Sequence, residues 1–156
     1  MIAGAAPLKA TRGETLAWSM YDFANSGYTT VVLTTVYNAY FVGVIAQSAG
    51  LESGTATFLW TLAVAIGNGL VLVSAPVVGA TADHRAAKKR FLTVSTVGCV
   101  AATALLGFAG EGSVASSVVL LVVSIVMFGT GEYLIAAFLL EIASEAEMGR
   151  VSGYGW

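Results

Sequence analysis

Two carboxylates stand within long apolar stretches of this sequence, and they have the clearest capacity for chemistry. Asp22 precedes Asn25, Ser26 and Thr29 at intervals of three, four and seven residues, so a helix would place all four on one face. Glu132 lies at a comparable membrane depth if its own stretch is helical. Because a carboxylate held away from water can bind a proton or a cationic solute, we predict that Asp22, Asn25, Ser26 and Glu132 line a substrate or proton pathway. The alternative is that both acids lie hydrated at the headgroups and are structural.

A second candidate lies in the basic loop after the second apolar stretch. Asp83 is expected at a helix C-terminus, where the negative end of the helix dipole disfavours a carboxylate. Arg85 or Lys88, or the positive N-terminus of a neighbouring helix, could compensate this charge. Gly79, Asp83, Arg85 and Lys88 are therefore predicted to form a gating loop, with Asp83 as a latch that holds the inner gate closed. The alternative interpretation is an ordinary basic loop with one incidental acid.

The residue inventory does not favour catalysis, a metal site or a cofactor. The chain has one cysteine, Cys99, and one histidine, His84. These leave no metal-ligating cluster, no internal disulfide and no nucleophile–base pair. The basic residues are few and follow the loops, so nucleic-acid binding is not expected. The sequence therefore predicts a protein that is not an enzyme and that needs no cofactor.

Transmembrane helices are the elements that must carry these side chains. The chain is 57% hydrophobic and only 10% charged, which is too few charges to cover a water-facing surface. Four ranges contain no charged residue: 23–51, 53–82, 91–110 and 112–131. Each is long enough for a helix to cross about 30 Å of hydrocarbon. The predicted fold is an all-α membrane protein with about four transmembrane helices, over 12–46, 56–83, 91–109 and 114–141.

Local signals define the start of the first helix. Thr11 and Glu14 have the spacing of a capping box, which predicts that a helix begins near Arg12. Trp18 and Tyr21 suit the aromatic belt at the inner membrane interface.

The distribution of lysine and arginine predicts the orientation. The loops around Glu52 and Glu111 contain no basic residue. Because cytoplasmic loops accumulate Lys and Arg, these two loops are predicted to lie outside and both termini to be cytoplasmic. The predicted organisation is a cytoplasmic segment 1–16 without a secretory signal, a transmembrane region 17–140, and a cytoplasmic loop with the start of a fifth helix over 141–156. The seven basic residues all lie on the predicted inner side: Lys9, Arg12, Arg85, Lys88, Lys89, Arg90 and Arg150.

The basic loop resembles the G-x-x-x-D-x-x-G-R-K motif of the major facilitator superfamily of transporters. Gly79 and Asp83 match in register, and a basic run follows at Lys88, Lys89 and Arg90. Ala86 stands where the family has glycine, and Ala87 where a basic residue is usual.

Two further stretches resemble one branch of that superfamily, which contains the autophagy-related vacuolar amino-acid effluxers and their bacterial relatives. Residues 18–26 are similar to its W-x-x-Y-D-x-A-N-S opening, and 149–156 to the G-R-V-S-G-x-G-W at the start of its fifth helix. Leu140 stands where the branch has a proline near the end of the fourth helix, which weakens the transfer of a role to Glu132.

The resemblance implies twelve helices in two six-helix halves, with the solute held between the halves and access alternating between the two sides. The chain resembles only the first four helices and the start of the fifth. The predicted function is therefore that of the N-terminal fragment of a secondary transporter in a bacterial inner membrane. Its expected partners are membrane lipid, a small-molecule solute and the remaining helices of the same transporter. Two alternatives stay open: a complete homodimeric transporter of four-helix subunits, and a non-transporting membrane scaffold or remnant.

Overall fold

Four helical spans dominate the computed structural model, which describes residues 11–84, 87–143 and 147–154. Each span is long and apolar enough to cross a membrane. The spans are Arg12–Ser48, Ser53–His84, Lys88–Leu106 and Val114–Ile142. A short helix, Met148–Gly153, follows the fourth span. The predicted all-α membrane fold with four spans is confirmed.

The first span begins as the capping box predicted. The Glu14 backbone N–H donates to Thr11 Oγ1 at 3.3 Å, and the Thr11 backbone N–H donates to Glu14 Oε2 at 2.8 Å. Two N–H groups that a helix start leaves unpaired are therefore satisfied by side chains.

The first span covers Arg12–Ser48, close to the predicted 12–46, but it is not α-helical throughout. Thr34 Oγ1 donates to the carbonyls of Thr29 and Thr30 at 3.1 Å, and the Thr35 backbone N–H also donates to Thr30 O at 3.1 Å. Because threonine hydroxyls that bond to preceding carbonyls compete with the regular i→i−4 pattern, a wider turn forms there. The segments are α-helical Arg12–Tyr28, π-helical Thr29–Thr34, α-helical Val36–Tyr40, π-helical Phe41–Ile45 and α-helical Ala46–Ser48.

The second and third helices begin three residues earlier than predicted, at Ser53 and Lys88 rather than at 56 and 91. The third helix was predicted to begin only after the charged residues Lys88, Lys89 and Arg90. A helix can extend into the headgroup layer, because long charged side chains reach water from there. The turns after the first and third spans cover 49–52 and 107–113, and the second of them is longer than predicted because the third helix ends at Leu106 rather than at 109. Gly50 and Gly112 allow them, with φ of 79° and 75° in the left-handed region that favours glycine.

The fourth span packs against all the others. A large apolar cluster near the turns at Gly50 and Gly112 joins all four spans. A smaller cluster at the opposite end joins the first span, the end of the fourth and the short helix Met148–Gly153. The large cluster contains Val32, Phe41, Ile45, Trp60, Ala63, Leu106, Leu121 and Ile125. The small cluster contains Trp18, Ile135, Ala143 and Val151.

Glycines set how closely the second and fourth spans approach. A Cβ built at Gly67 would lie 2.7 Å from Ile125 Cγ2, and one built at Gly129 would lie 2.7 Å from Val71 Cγ2. Small residues permit such approach in membranes, where packing replaces the hydrophobic effect as the driving force.

Trp18 does not take the predicted place in an aromatic belt. It is only 6% exposed, and its indole Nε1 donates to the Ile135 carbonyl at 2.8 Å. A buried indole N–H needs an acceptor, so Trp18 ties the first span to the fourth instead of facing the lipid.

Candidate functional site

Asn25 and Glu132, two of the predicted pathway residues, are in direct contact. The Asn25 side-chain Nδ2 donates to Glu132 Oε1 at 2.6 Å and joins the first span to the fourth. Both side chains are partly buried. A hydrogen bond to a carboxylate is stronger than one between neutral groups, so this contact fixes the position of Glu132.

Asn25 orients Glu132 but cannot neutralise it, because the amide carries no charge. Within the described part of the chain, Glu132 forms no salt bridge. A carboxylate among apolar spans is costly unless it is protonated, hydrated or paired with a cation. The arrangement can therefore bind a proton or a positively charged group.

Aromatic hydroxyls extend the contact between the first span and its neighbours. The Tyr28 hydroxyl is 2.7 Å from Ser124 Oγ, and its ring stacks on Phe128 with the centroids 4.4 Å apart. One helical turn before Asn25, the Tyr21 hydroxyl is 2.9 Å from Thr96 Oγ1 on the third span. These contacts hold residues 21–28 of the first span against the third and fourth spans.

An open groove lies beside these contacts, between the first and third spans. Its volume is about 550 Å³, and Asn25, Tyr28 and Phe128 contribute to its lining. Cys99 also lines it, from the third span. The groove is mainly apolar with a few polar groups, the usual character of a small-molecule site.

The other two predicted pathway residues lie on less protected parts of the same helix. Asp22 is partly buried, whereas Ser26 is exposed on the surface of the four spans. The structure therefore brings Asn25 and Glu132 together, and it leaves Ser26 facing away from the described neighbours.

The gating-loop residues are only partly described. Gly79 lies in the last turns of the second span, with no atom within 4 Å of a Cβ built there. Asp83 is helical in its backbone, but its side chain and all of Arg85 lie outside the described residues. Lys88 Nζ forms an ion pair with Glu141 Oε1 at 2.5 Å, which links the start of the third span to the end of the fourth.

The sequence did not lead us to predict the contacts of Tyr28 with Ser124 and Phe128. Ser124, Phe128 and Glu132 recur every four residues, and Asn25 and Tyr28 are three apart, so each set shares a helix face. That spacing could have indicated a shared polar and aromatic face on each helix. It could not have shown that the two faces contact each other, because that depends on how the spans pack.

Comparison with known proteins gives one informative similarity. The chain is 29% identical over 140 residues to the uncharacterized MFS-type transporter YxiO of Bacillus subtilis (strain 168). The match covers 90% of this chain and 32% of the relative, so the chain spans about a third of that protein's length. No known family profile matches the chain, and no solved structure matches it.

The four helical spans and the sequence similarity together show the class of protein. The chain is a multi-pass integral membrane protein. Its four apolar spans have the length that crossing requires, and the similarity to an MFS-type transporter extends over nearly the whole of it.

Proposed function

We propose that this chain forms the first four spans of a major facilitator superfamily transporter that moves a small solute by alternating access. The similarity to an MFS-type transporter and the four apolar spans support the class. The motifs at 18–26 and 149–156 favour the branch that resembles the vacuolar amino-acid effluxers. The basic residues favour a bacterial inner membrane location with both termini cytoplasmic.

The contact between Asn25 and Glu132 carries the proposal. It holds between two spans a carboxylate that pairs with no cation among the described residues. Its partner Asn25 also lines a groove of about 550 Å³, which is large enough for a small solute. In this proposal Glu132 binds the coupling proton or a cationic group of the solute. Asn25 keeps the carboxylate oriented, while Asp22 and Ser26 line the inner part of the pathway.

The inner loop supplies the gate in this proposal. Gly79, Asp83, Arg85 and Lys88 form the latch, and the ion pair between Lys88 and Glu141 ties that latch to the fourth span. Exchange of such surface pairs costs little energy, so they can open and re-form during a transport cycle.

Solute-driven currents in proteoliposomes test the proposed function. The protein to reconstitute is the transporter that contains these spans, exposed in turn to amino acids, sugars and organic amines. We expect a current for at least one class, its loss in Glu132→Gln, and a weaker current in Asn25→Ala. Ala136→Ser, an exposed position one turn along the same helix, is the matched control and should leave the current unchanged. Wild-type currents in Glu132→Gln at equal protein amounts would remove Glu132 from the mechanism.

A further inference from the structure

A second groove lies at the inner end of the molecule, away from the Asn25–Glu132 contact. The inner half of the first span and the short helix Met148–Gly153 enclose a volume of about 970 Å³. Leu16, Met20 and Phe23 form one wall at the i, i+4 and i+7 positions of a helix face. They are 62%, 65% and 66% exposed, so an apolar stripe faces an open groove.

Two arginines line the same groove. Arg12 stands in the first turn of the first span, and Arg150 lies on the short helix. Arg12 forms no ion pair with any described residue. Arg150 Nη2 is 3.4 Å from Glu147 Oε1, and the two side chains are 66% and 38% exposed. The groove thus combines an apolar wall with a polar end, where the described lining residues carry two positive charges and one negative charge.

We propose that this groove binds an anionic phospholipid. The phosphate lies between Arg12 and Arg150, whose guanidinium groups donate paired hydrogen bonds to phosphate oxygens. One acyl chain lies along Leu16, Met20 and Phe23 and covers surface that is otherwise exposed. Basic pockets between membrane helices bind such headgroups in this way. The proposal goes beyond transport and does not depend on it.

The apolar wall is what distinguishes a lipid from a soluble anion. A free phosphate would satisfy the arginines and leave the three apolar side chains uncovered. A further apolar helix would cover the wall but would gain nothing from two arginines at its end. An amphipathic anion matches both ends of the groove.

Native mass spectrometry of the chain released from mixed-lipid nanodiscs tests the proposal. Nanodiscs contain equal amounts of phosphatidylglycerol and phosphatidylcholine with identical acyl chains. The wild-type chain should retain phosphatidylglycerol preferentially. The double variant Arg12→Gln/Arg150→Gln should reduce that preference on the order of tenfold, because each basic residue near the surface contributes to anionic-lipid binding. The control Lys89→Gln/Arg90→Gln removes the same charge from the same predicted membrane face, outside the groove lining, and should change the preference little.

A variant that should increase the retention of phosphatidylglycerol keeps the test decisive if the double variant folds poorly. Glu147→Gln retains both arginines and removes the acid that contacts Arg150, so it should strengthen the retention of phosphatidylglycerol. Three results would overturn the proposal. These are equal retention of the two lipids by the wild-type chain, an equal loss in the Lys89/Arg90 control, or displacement of the lipid by glycerol phosphate, which would indicate a site for soluble anions.

Discussion

The side-chain amide of Asn25 donates a 2.6 Å hydrogen bond to the Glu132 carboxylate, and this contact fixes an acid of the fourth span against the first. The next polar contact outward on the same pair of spans is between Tyr28 and Ser124, at 2.7 Å. The neutral amide of Asn25 therefore holds one side of the Glu132 carboxylate in place. The other side of the carboxylate can still bind a proton or a cation.

Removal of the Asn25 amide should destabilise the bundle measurably. Asn25→Ala should lower the free energy of unfolding by about 1 kcal/mol, because a hydrogen bond to a charged group is lost between two spans. Asn38→Ala is the control, since Asn38 lies on the same span and its side chain makes no hydrogen bond within the described residues. Reversible unfolding in mixed detergent micelles measures both. Equal stability of the two variants would mean that the contact with Glu132 does not hold the spans together.

Two glycines of the second span should respond in opposite ways to alanine. Gly67→Ala should cost about 1–3 kcal/mol, because the added Cβ would lie 2.7 Å from Ile125, which is only 2% exposed and has little room to move. Gly69→Ala meets no atom within 4 Å and should leave stability unchanged or raise it by up to about 1 kcal/mol through helix propensity. Thermal unfolding in the same micelles separates them. A Gly67→Ala variant as stable as Gly69→Ala would contradict the close packing of the second and fourth spans.

The ion pair between Lys88 and Glu141 should show modest coupling. Its side chains are 23% and 51% exposed, so we expect a double-mutant cycle to give about 0.2–1 kcal/mol. The charge-exchanged variant Lys88→Glu/Glu141→Lys should recover part of the stability that either single reversal loses. No recovery in the exchanged variant would indicate that the two residues do not pair in the membrane.

The predicted orientation can be checked with single cysteines in a Cys99→Ser background. Cysteines at Glu52 and Glu111 should react with a membrane-impermeant maleimide on intact cells, because these outer turns carry no basic residue. Cysteines at Lys89 and Arg150 should react only after the cells are broken. The reverse labelling pattern would overturn the orientation.

Much of the fold could be predicted from the sequence because charge placement and helix length are local properties. The uncharged ranges gave the number of spans, and the spacing of Thr11 and Glu14 gave the start of the first helix to the residue. The π-helical turn at Thr29–Thr34 was missed because threonine is ordinarily compatible with a membrane α-helix. The burial of Trp18 was missed because its acceptor, the Ile135 carbonyl, is far away in sequence.

The candidate site was predictable only in part. Helix rise placed Asp22 and Glu132 at similar depth, but it did not predict a contact between the first and fourth spans. The rotation of each helix about its axis decides which side chain makes that contact. The structure gives this role to Asn25, whereas Ser26 is exposed. No local pattern encodes that rotation, because it results from packing at residues such as Gly129 and Val71.

Infrared difference spectroscopy of the chain in lipid tests the central claim about Glu132 most directly. Spectra recorded across a pH series show which carboxyl groups take up a proton, and Glu141→Gln serves as a control for an acid at the headgroups. We expect a carboxylic acid band that is present in the wild-type chain and in Glu141→Gln, altered in Asn25→Ala, and absent in Glu132→Gln. An unchanged set of bands in Glu132→Gln would show that Glu132 does not exchange protons, and would contradict its role as the proton-binding acid of the pathway.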